Sequence, residues 1–350
     1  MTQQVGTERV ATNAPPMKAL APMLMQMLLG NRVQQAIYVA AKLGIADLLA
    51  DGPKAVADLA KSSGAHPGAL YRLLRTLACY GVFVEVGEKR FQLTPMAGLL
   101  RTGVPGSLRS VALWFGTIAY QVFSGLEHSV LTGEPSFDHI FGMEFFEYLQ
   151  RHPDAGALFD EVMTRQTTEV ASTLPVAYDF SEIGTLVDVG GGRGELISSI
   201  LKAYPEMQGV LFDQQHVIQS AGKLLEARGV AERCITIFGD ITESVPSGGD
   251  AYVLKSIIHG ADDDLAILWL KNCHRAMAGK GRLLLVEYVI PSGNDPHPGK
   301  LMDLMMLTGT HGGKERTEDE FRSLLAQAGF HLSRIVPTDS FYSVVEGLPV

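Results

Sequence analysis

The sequence predicts an α/β fold, in which a parallel sheet covered by helices follows a mostly helical segment. Two observations lead to this prediction. From residue 185 onward, short apolar runs alternate with amphipathic stretches, which is the pattern of strands and helices in a parallel sheet. Before that point, from about residue 18 to 170, the apolar residues recur almost throughout at helical spacing.

Composition limits the classes of function. The 350 residues are 46% hydrophobic and 19% charged, as in a globular protein large enough for two cores. The net charge of −9 argues against nucleic acid or an anionic membrane as a partner of the whole surface. No apolar run reaches the ~18 residues of a membrane-spanning helix. Residues 1–17 lack the pattern of a secretory signal, and we expect a disordered tail there.

The cysteine pattern also restricts the interpretation. Cys79, Cys234 and Cys273 form no Cys-x-x-Cys pair, so we expect neither a disulfide framework nor a structural zinc site. Free cysteines are typical of a reducing compartment, and the sequence therefore predicts a cytoplasmic location.

The first half opens with two helices, predicted over Leu20–Leu29 and Val33–Leu49. Both are apolar over more than one face, and such helices need to be buried. The sequence leaves two alternatives open, which are a core within the chain and an interface with a second copy.

A winged-helix pattern follows. A helix, a turn and a helix through Cys79 precede two short strands, predicted over Val82–Val86 and Arg90–Leu93. This pattern raises the alternative of a DNA-binding regulator, and residues 52–101 carry a local net charge of +4 (seven Lys or Arg and three Asp or Glu). The presumed recognition helix offers only Arg72 and Arg75 as long basic side chains, which favours a scaffold or dimerisation role.

The second half is predicted as five parallel strands with helices between them and an antiparallel hairpin at the edge. The predicted strands are Thr185–Val189, Gly209–Phe212, Cys234–Phe238, Ala251–Ser256 and Arg282–Val286. The predicted helices are Glu195–Tyr204, His216–Arg228 and Asp263–Met277. After a further helix over Glu320–Ala328, the hairpin strands are His331–Val336 and Tyr342–Glu346.

A glycine cluster directly after the first strand indicates the ligand. Ligands of such sheets bind beyond the carboxyl ends of the strands, where Asp188 is followed by Gly190 and Gly192. A dinucleotide site would have G-x-G-x-x-G, but position 195 is Glu195, whose carboxylate would repel pyrophosphate. The observed G-x-G-x-G after an aspartate suits S-adenosylmethionine, which has a sulfonium cation and no phosphates.

Further polar residues follow the next strands. Asp213 could accept the ribose hydroxyls, although enzymes that bind nicotinamide dinucleotides use the same device. Asp240, after Gly239, could receive the adenine amino group, and Lys255 ends the fourth strand. The predicted cofactor-binding residues are Asp188, Gly190, Gly192, Asp213, Gly239, Asp240 and Lys255.

Three residues near the same edge form a candidate base. His259 lies beyond the fourth strand, Glu287 follows the fifth, and Glu315 lies in a glycine-bounded loop. Histidine titrates near neutral pH, and a carboxylate can fix its tautomer and stabilise the imidazolium. The predicted catalytic residues are therefore His259, Glu287 and Glu315.

These motifs occur together in a known order. The chain from about residue 20 onward resembles the plant-type family of small-molecule O-methyltransferases, which includes caffeic acid and hydroxyindole enzymes and bacterial natural-product relatives. The resemblance rests on the Asp188-Val-Gly-Gly-Gly, Phe212-Asp213, Gly239-Asp240, Leu254-Lys255 and His259 segments. Glu287 before Ile290-Pro291, and Gly-Gly-Lys-Glu315-Arg-Thr, complete it.

The resemblance implies a domain organisation and a set of partners. It implies a winged-helix-like dimerisation domain over residues 18–110, a helical segment over 111–180 with pocket helices, and a Rossmann-like methyltransferase domain over 181–350. It further implies a homodimer through the N-terminal helices, S-adenosylmethionine as cofactor with S-adenosylhomocysteine as its product, and a small-molecule acceptor. His259 would remove the acceptor proton, and the two glutamates would orient it. The implied substrate-binding residues are Phe159, Met163, Met302, Met306 and Thr310.

The sequence departs from the family after the histidine. Gly260-Ala261 stands where members usually have Asp-Trp, which removes a possible hydrogen bond to the acceptor and leaves either space or a different packing. Asp262, Asp263 and Asp264 could suggest a metal site. We instead expect Asp262 to cap the next helix and the others to favour its N-terminal end, so no metal is predicted.

The sequence therefore predicts an S-adenosylmethionine-dependent O-methyltransferase that acts on a phenolic hydroxyl of a small secondary metabolite. Two alternatives remain at this stage. The first keeps the fold and cofactor but methylates nitrogen or carbon. The second is a winged-helix regulator that senses S-adenosylmethionine, for which His259 and its two glutamates would have no use.

Overall fold

The computed structural model describes residues 17–350, so the tail predicted for 1–17 lies, apart from Met17, outside the described residues. The contacts divide the chain into two units, with the division between Gly116 and Thr117. The predicted boundary at residue 110 lies close to this division. A separate segment over 111–180 stays a prediction.

The N-terminal unit consists of seven helices and a small sheet in its described part. The helices are α1 (Met17–Leu28), α2 (Gly30–Lys42), α3 (Ile45–Leu48), α4 (Val56–Ser63), α5 (Pro67–Cys79), α6 (Pro95–Gly98) and α7 (Arg109–Gly116). The strands are β1 (Lys54–Ala55), β2 (Phe83–Glu85) and β3 (Arg90–Leu93), which form an antiparallel sheet in the order β1-β3-β2. The helix-turn-helix and hairpin of the winged-helix pattern are present.

The single helix predicted over 33–49 is wrong. It ends at Lys42, and a one-turn helix follows at Ile45. Gly44 between them has φ of +64°, a left-handed conformation that stops a helix and that glycine adopts without strain. The apolar spacing continues across this break, which is why periodicity alone missed it.

The first helix is exposed within the single chain. Six of its apolar residues are exposed, namely Leu20, Met23, Leu24, Met25, Met27 and Leu28. Burial of α1 in a core of its own chain, one of the two alternatives left open by the sequence, is therefore wrong, and an interface remains as the alternative.

The second unit begins with five helices and continues into a seven-stranded sheet. The first helices are α8 (Ile118–Ser124), α9 (Leu126–Thr132), α10 (Ser136–Phe141), α11 (Phe145–Arg151) and α12 (Pro153–Ala177). The next elements are β4 (Thr185–Val189), α13 (Glu195–Ala203), β5 (Gln208–Asp213), α14 (Gln215–Ile218), α15 (Ala221–Arg228), β6 (Cys234–Phe238), β7 (Ala251–Lys255), α16 (Asp263–Met277) and β8 (Arg282–Glu287). The last are β9 (Val289–Ile290), α17 (Pro298–Gly309), β10 (Arg316–Thr317), α18 (Glu318–Gln327), β11 (Phe330–Pro337) and β12 (Ser343–Pro349).

The large sheet has the order β11-β12-β8-β7-β4-β5-β6. The pairs among β4 to β8 are parallel, while β12 pairs antiparallel with both β8 and β11. The predicted parallel sheet and its antiparallel edge hairpin are thus confirmed. The helix predicted over 216–228 is instead two helices, with a break at Gln219 and Ser220. At this break the Ser220 hydroxyl donates to the Val217 carbonyl, a local side-chain bond of the kind that competes with helical structure.

Both faces of this sheet are covered, and the alternation of side chains along β4 decides which residues meet which layer. Leu186 packs in a cluster with residues of α12 and α13, whereas Val187 and Val189 pack in a second cluster with residues of α16 and α18. A two-stranded parallel pair outside the main sheet joins Val289 to Arg316. No helix among residues 17–350 is long and apolar enough to cross a membrane.

Candidate active site

The glycine turn after β4 brings backbone close to the carboxyl edge of the sheet. Gly190 and Gly192 have φ of +71° and +62°, which favour glycine. A Cβ at Gly191 would lie 2.5 Å from the Asp188 carboxylate and from the Leu211 side chain, so a larger residue would not fit. The turn therefore depends on its glycines both for conformation and for close approach.

Asp213 is fixed above this turn by backbone groups. Its Oδ2 accepts a hydrogen bond from the Gly192 N–H at 2.7 Å, and its Oδ1 accepts one from the Gln214 N–H at 2.6 Å. Each carboxylate oxygen has two lone pairs and retains capacity for a further donor. Asp213 can thus receive hydroxyl groups of a ligand from a preset position.

Asp188 is the buried acid of the turn. Its side chain is 1% exposed, and its Oδ2 has no hydrogen-bond partner within the described chain. Burial, together with the nearby Asp213 charge, raises the pKa of Asp188 to about 7. A buried carboxylate oxygen without a donor is a favourable neighbour for a cationic ligand, which fits the sulfonium of S-adenosylmethionine.

The remaining predicted cofactor residues lie at the same edge. A Cβ at Gly239 would lie 2.6 Å from the Phe212 ring, and Asp240 is exposed, with its Oδ1 accepting from the Thr242 N–H at 2.7 Å. Lys255 donates from Nζ to Thr167 Oγ1 at 3.2 Å, and burial lowers the pKa of Lys255 to about 8.

The three predicted catalytic side chains are together. His259 lies on the short 3₁₀ turn Ile258–Gly260 that follows β7, and its Nδ1 is 2.8 Å from Glu315 Oε1 and 3.9 Å from Glu287 Oε2. The His259 side chain is 17% exposed, while both glutamates are buried. Ser256, which lies between β7 and this turn, has a φ of +54°, which is unusual for a residue other than glycine.

Hydrogen bonds fix the Glu287 carboxylate and the main chain of Glu315. Glu287 Oε1 accepts hydrogen bonds from the N–H groups of Ile257 at 3.0 Å and Ile258 at 2.9 Å, which ties the end of β8 to the histidine turn. The Glu315 N–H donates to Asp303 Oδ1 at 2.9 Å. The second oxygens of Glu287 and Glu315 are buried without a partner in the part of the chain described.

The electrostatics favour a proton on the imidazole. Burial alone would lower the pKa of His259, but the Glu287 charge and the Glu315 hydrogen bond outweigh it, and the pKa is raised from its usual value. Burial likewise raises the pKa of Glu287. Because a carboxylate only accepts, the neutral imidazole that bonds Glu315 carries its proton on Nδ1, and Nε2 is then the nitrogen able to accept one.

The same three residues have the side-chain types of a metal site, with ligand atoms within 4.8 Å of one another. Nitrogen and oxygen ligands on a tetrahedral zinc stand about 3.4 Å apart, given bonds of about 2.0–2.2 Å. The His259–Glu315 separation of 2.8 Å is instead a hydrogen-bond distance. The adjacent Asp262 accepts from the Leu265 N–H at 2.8 Å, so it caps α16 as predicted.

The predicted substrate residues lie on two helices of this unit. Phe159 and Met163 are on α12, Met302 and Met306 are on α17, and Thr310 directly follows α17; all five are half-buried. The Thr310 hydroxyl donates to the Met306 carbonyl at 2.8 Å, and a Cβ at Gly313 would lie 2.2 Å from the same hydroxyl. That these five line one acceptor pocket stays a prediction.

Gly260-Ala261 stands where the family usually has Asp-Trp, and the sequence left either an open space or a different packing there. The structure favours the different packing. Ala261 is 1% exposed and packs with Ile258 and Ala266 in the core, whereas Gly260 is exposed, with nothing within 4 Å of an added Cβ. Sequence reasoning missed Arg316, a buried residue beside Glu315 that bonds the histidine turn. Its place next to a predicted catalytic residue was the available signal.

Comparisons with known proteins agree with this fold. Residues 123–331 match the family model of the O-methyltransferase domain, and residues 25–103 match that of the O-methyltransferase dimerisation domain. The chain is 46% identical to a phenazine O-methyltransferase of Lysobacter antibioticus, over 98% of this chain and 100% of that protein. It is 34% identical to a phenazine-1-carboxylate N-methyltransferase of Pseudomonas aeruginosa, over 91% of this chain and 94% of that protein.

A solved relative shows the ligands of such a fold. It is an O-methyltransferase from neocarzinostatin biosynthesis in complex with S-adenosylmethionine and 2-hydroxy-5-methyl naphthoic acid, 32% identical, with a TM-score of 0.78, covering 97% of this chain and 100% of that one. The chain therefore belongs to the O-methyltransferase family of bacterial natural-product enzymes. It is an S-adenosylmethionine-dependent methyltransferase, and the predicted fold class and cofactor are confirmed. The matches to enzymes do not support the alternative of a regulator without catalysis.

Proposed function

We propose that the protein transfers a methyl group to a phenolic hydroxyl of a small aromatic secondary metabolite, with His259 as general base. The observation that supports this most is the hydrogen bond between His259 Nδ1 and Glu315 Oε1. It fixes the tautomer in which Nε2 can accept the hydroxyl proton. General-base assistance typically contributes about 10²–10⁴-fold to a rate.

Each predicted residue has a defined task in this proposal. Asp188, Asp213, Asp240 and Lys255, with the glycine turn, hold S-adenosylmethionine, which supplies the methyl group. His259 takes the acceptor proton on Nε2. Glu315 keeps the ring oriented, and the buried charge of Glu287 stabilises the imidazolium that forms.

The relatives and the predicted pocket side chains support an aromatic acceptor. A protein 46% identical over nearly the whole chain is a phenazine O-methyltransferase, which supports a hydroxylated phenazine as the first acceptor to test. Phe159 offers an aromatic face, and Met163, Met302 and Met306 offer flexible apolar side chains that adapt to a flat ring system.

The test is product analysis with isotope-labelled S-adenosylmethionine. The purified protein is incubated with a hydroxyphenazine, the corresponding unsubstituted phenazine and simple phenols, and the methylated atom is identified by NMR. We expect an O-methyl product from the hydroxyphenazine and none from the unsubstituted ring. Turnover of the unsubstituted phenazine at least as fast as that of the hydroxyphenazine would contradict the proposal.

A second candidate is methylation of nitrogen on a similar ring. It is supported by the 34% identical phenazine-1-carboxylate N-methyltransferase. A ring nitrogen presents a lone pair without a proton, so its methylation needs no base. Incubation with phenazine-1-carboxylate tests this candidate, and a methyl group on nitrogen in the product would favour it over O-methylation.

We further propose that the protein is a homodimer through its N-terminal helices. The match to a dimerisation domain over residues 25–103 and the exposed apolar face of α1 support this. Light scattering after size exclusion should give twice the chain mass, and Leu24→Glu together with Met27→Glu should reduce it to one chain. A wild-type monomer would contradict the proposal. A cytoplasmic location stays a prediction from cysteine usage.

A further inference from the structure

Arg316 is the largest fully buried side chain among the described residues, at 1% exposure. Arginine is almost never fully buried unless its donors are satisfied. The residue follows Glu315 directly, in the short strand β10. Its burial next to a predicted catalytic glutamate requires a specific explanation.

All five N–H donors of the Arg316 guanidinium are used. Nη1 donates to the carbonyls of Ile258 at 3.0 Å and Lys314 at 3.3 Å, and Nη2 donates to the Ala261 carbonyl at 3.1 Å. Nε and Nη2 also donate to Asp263 Oδ1 at 3.1 and 2.8 Å. The guanidinium therefore bonds the backbone on both sides of His259 with one rigid, planar group.

The same region has a second connection between the two segments. The Lys314 N–H donates to the His259 carbonyl at 2.8 Å, and a Cβ at Gly313 would lie 2.7 Å from that oxygen. His259 and Glu315 are 56 residues apart in the chain. Their side-chain hydrogen bond forms only if these two backbone segments keep a fixed separation, and the guanidinium spans that separation.

A purely structural role is the alternative, and the chain offers an example of one. Arg233 also donates to three backbone carbonyls, those of Leu201, Tyr204 and Met207. It directly precedes β6, so it lies at the edge formed by the amino ends of the parallel strands, opposite the carboxyl edge. Arg233 therefore makes the same kind of contact without adjoining the predicted catalytic residues, which makes it a matched control.

We propose that Arg316 is a positioning residue for His259, and that its guanidinium holds the 258–261 turn at the distance from Glu315 at which the imidazole is correctly oriented. The proposal rests on the proposed function, in which His259 acts as base. Arg316 touches neither acceptor nor cofactor in this role, and it acts only through the backbone on either side of His259.

The main test is Arg316→Lys, which keeps the positive charge but replaces the planar fork with a single ammonium group. We expect kcat to fall roughly ten- to hundredfold, since misplacing a reacting group by about 1 Å can cost about 10² in rate. The KM for S-adenosylmethionine should not change. Arg233→Lys should leave kcat unchanged, although both variants lower the melting temperature. Equal effects of the two variants on kcat would overturn the proposal.

A second readout does not depend on turnover. NMR titration of histidine-labelled protein follows the ten histidines, and the His259 signal is assigned with His259→Gln. Since the Glu315 hydrogen bond raises the His259 pKa, Arg316→Lys should lower that pKa while Arg233→Lys should not. An unchanged His259 pKa in folded Arg316→Lys would overturn the positioning role.

A double-mutant cycle separates this proposal from the proposed function. If Arg316 acts through His259, Arg316→Lys should lower kcat in the wild type but not in the His259→Ala background. If His259→Ala leaves kcat unchanged, His259 is not the base and the proposed function fails. The NMR titration would still decide whether Arg316 positions His259. Should Arg316→Lys fail to fold, Asp263→Ala removes the oxygen that accepts from Nε and Nη2 of the guanidinium and should lower the His259 pKa in the same direction. An unchanged pKa in that variant would count against the proposal.

Discussion

The carboxyl edge of the large sheet has two halves that hold their polar groups in different ways. In the cofactor half, at the ends of β4 to β6, the carboxylates of Asp213 and Asp240 accept from nearby backbone N–H groups and keep contact with solvent. In the base half, at the end of β8 and in the loop before β10, Glu287 and Glu315 are buried, and each has an oxygen without a hydrogen-bond partner among the described residues. The first half is suited to binding and the second to proton transfer.

The physical reason for the difference is the cost of burying charge. A carboxylate in contact with solvent keeps part of its hydration, so accepting the hydroxyl groups of a ligand carries little desolvation cost. Buried carboxylates beside an imidazole share a small number of protons, and their charges shift the pKa values of one another. Asp188 is the exception in the cofactor half, because it is buried and its pKa is raised to about 7.

The largest expected effect tests whether the base half is separable from binding. His259→Ala should lower kcat for O-methylation by roughly 10²–10⁴-fold, because the acceptor proton loses its base. The dissociation constant for S-adenosylmethionine, measured by calorimetry, should not change. His331→Ala, which alters an exposed histidine on β11, is the control. Full activity of His259→Ala would rule out His259 as the base and favour catalysis by positioning alone.

A variant in the cofactor half should weaken the binding of S-adenosylmethionine and leave kcat unchanged. Asp213→Ala removes the hydrogen bonds from the Gly192 N–H of the glycine turn and from the Gln214 N–H, together with the acceptor for the ribose hydroxyls. Hydrogen bonds to a charged group contribute about 1.5–3 kcal/mol, which corresponds to a dissociation constant raised roughly ten- to hundredfold. The kcat at saturating S-adenosylmethionine should be retained.

The control for this variant is Asp179→Ala. Asp179 is an exposed aspartate before β4 whose Oδ1 accepts from the Ser181 N–H at 2.9 Å, so Asp179→Ala loses a similar bond at the other end of β4 from the turn. A lower kcat with unchanged affinity in Asp213→Ala would mean that the two halves are not separable.

The two halves also differ in how far the sequence predicts them. The glycine turn depends on local backbone conformation, and its residues are adjacent in the chain, so Asp188, Gly190 and Gly192 could be assigned from their spacing. His259 and Glu287 could be placed at one edge because parallel strands end there, and the glycine-bounded loop of the family motif paired Glu315 with His259. Their separation of 2.8 Å, and the burial that sets their pKa values, depend on tertiary packing.

Two features show what spacing leaves out. The break at Gly44 is invisible to apolar periodicity because the periodicity continues on both sides of it. The bonding partners of Arg316 could not be predicted because three of them are backbone carbonyls, which every residue possesses and which no residue type marks. Side-chain motifs therefore predict which residues form the site, and the backbone contacts that hold them require the structure.

The third prediction concerns the charge in the base half. In Glu287→Gln the amide oxygen can still accept from the Ile257 and Ile258 N–H groups, but the negative charge is lost. That charge raises the His259 pKa, so its loss lowers the pKa. Since the base acts in its neutral form, the acid limb of the kcat profile should move to lower pH. Measurement from about pH 5 to about pH 9 covers the range in which histidine titrates.

The matched control is Glu182→Gln, since Glu182 is exposed and pairs with Arg282 away from the cluster. Its acid limb should coincide with that of the wild type. The midpoints belong to the coupled cluster and not to one residue. An acid limb of Glu287→Gln that coincides with the wild-type limb would mean that the glutamate is neutral where the enzyme works.

The smallest expected effect concerns metal ions. His259, Glu287 and Glu315 have the side-chain types of zinc ligands, but the nitrogen and oxygen at 2.8 Å are at the distance of a shared proton. Dialysis against a chelator should therefore leave kcat unchanged, whereas loss of activity that added Zn²⁺ restores would contradict proton sharing. Activity that survives chelation would mean that the buried glutamates act through His259 and not through a metal ion. The base half would then differ from the cofactor half in exchanging protons.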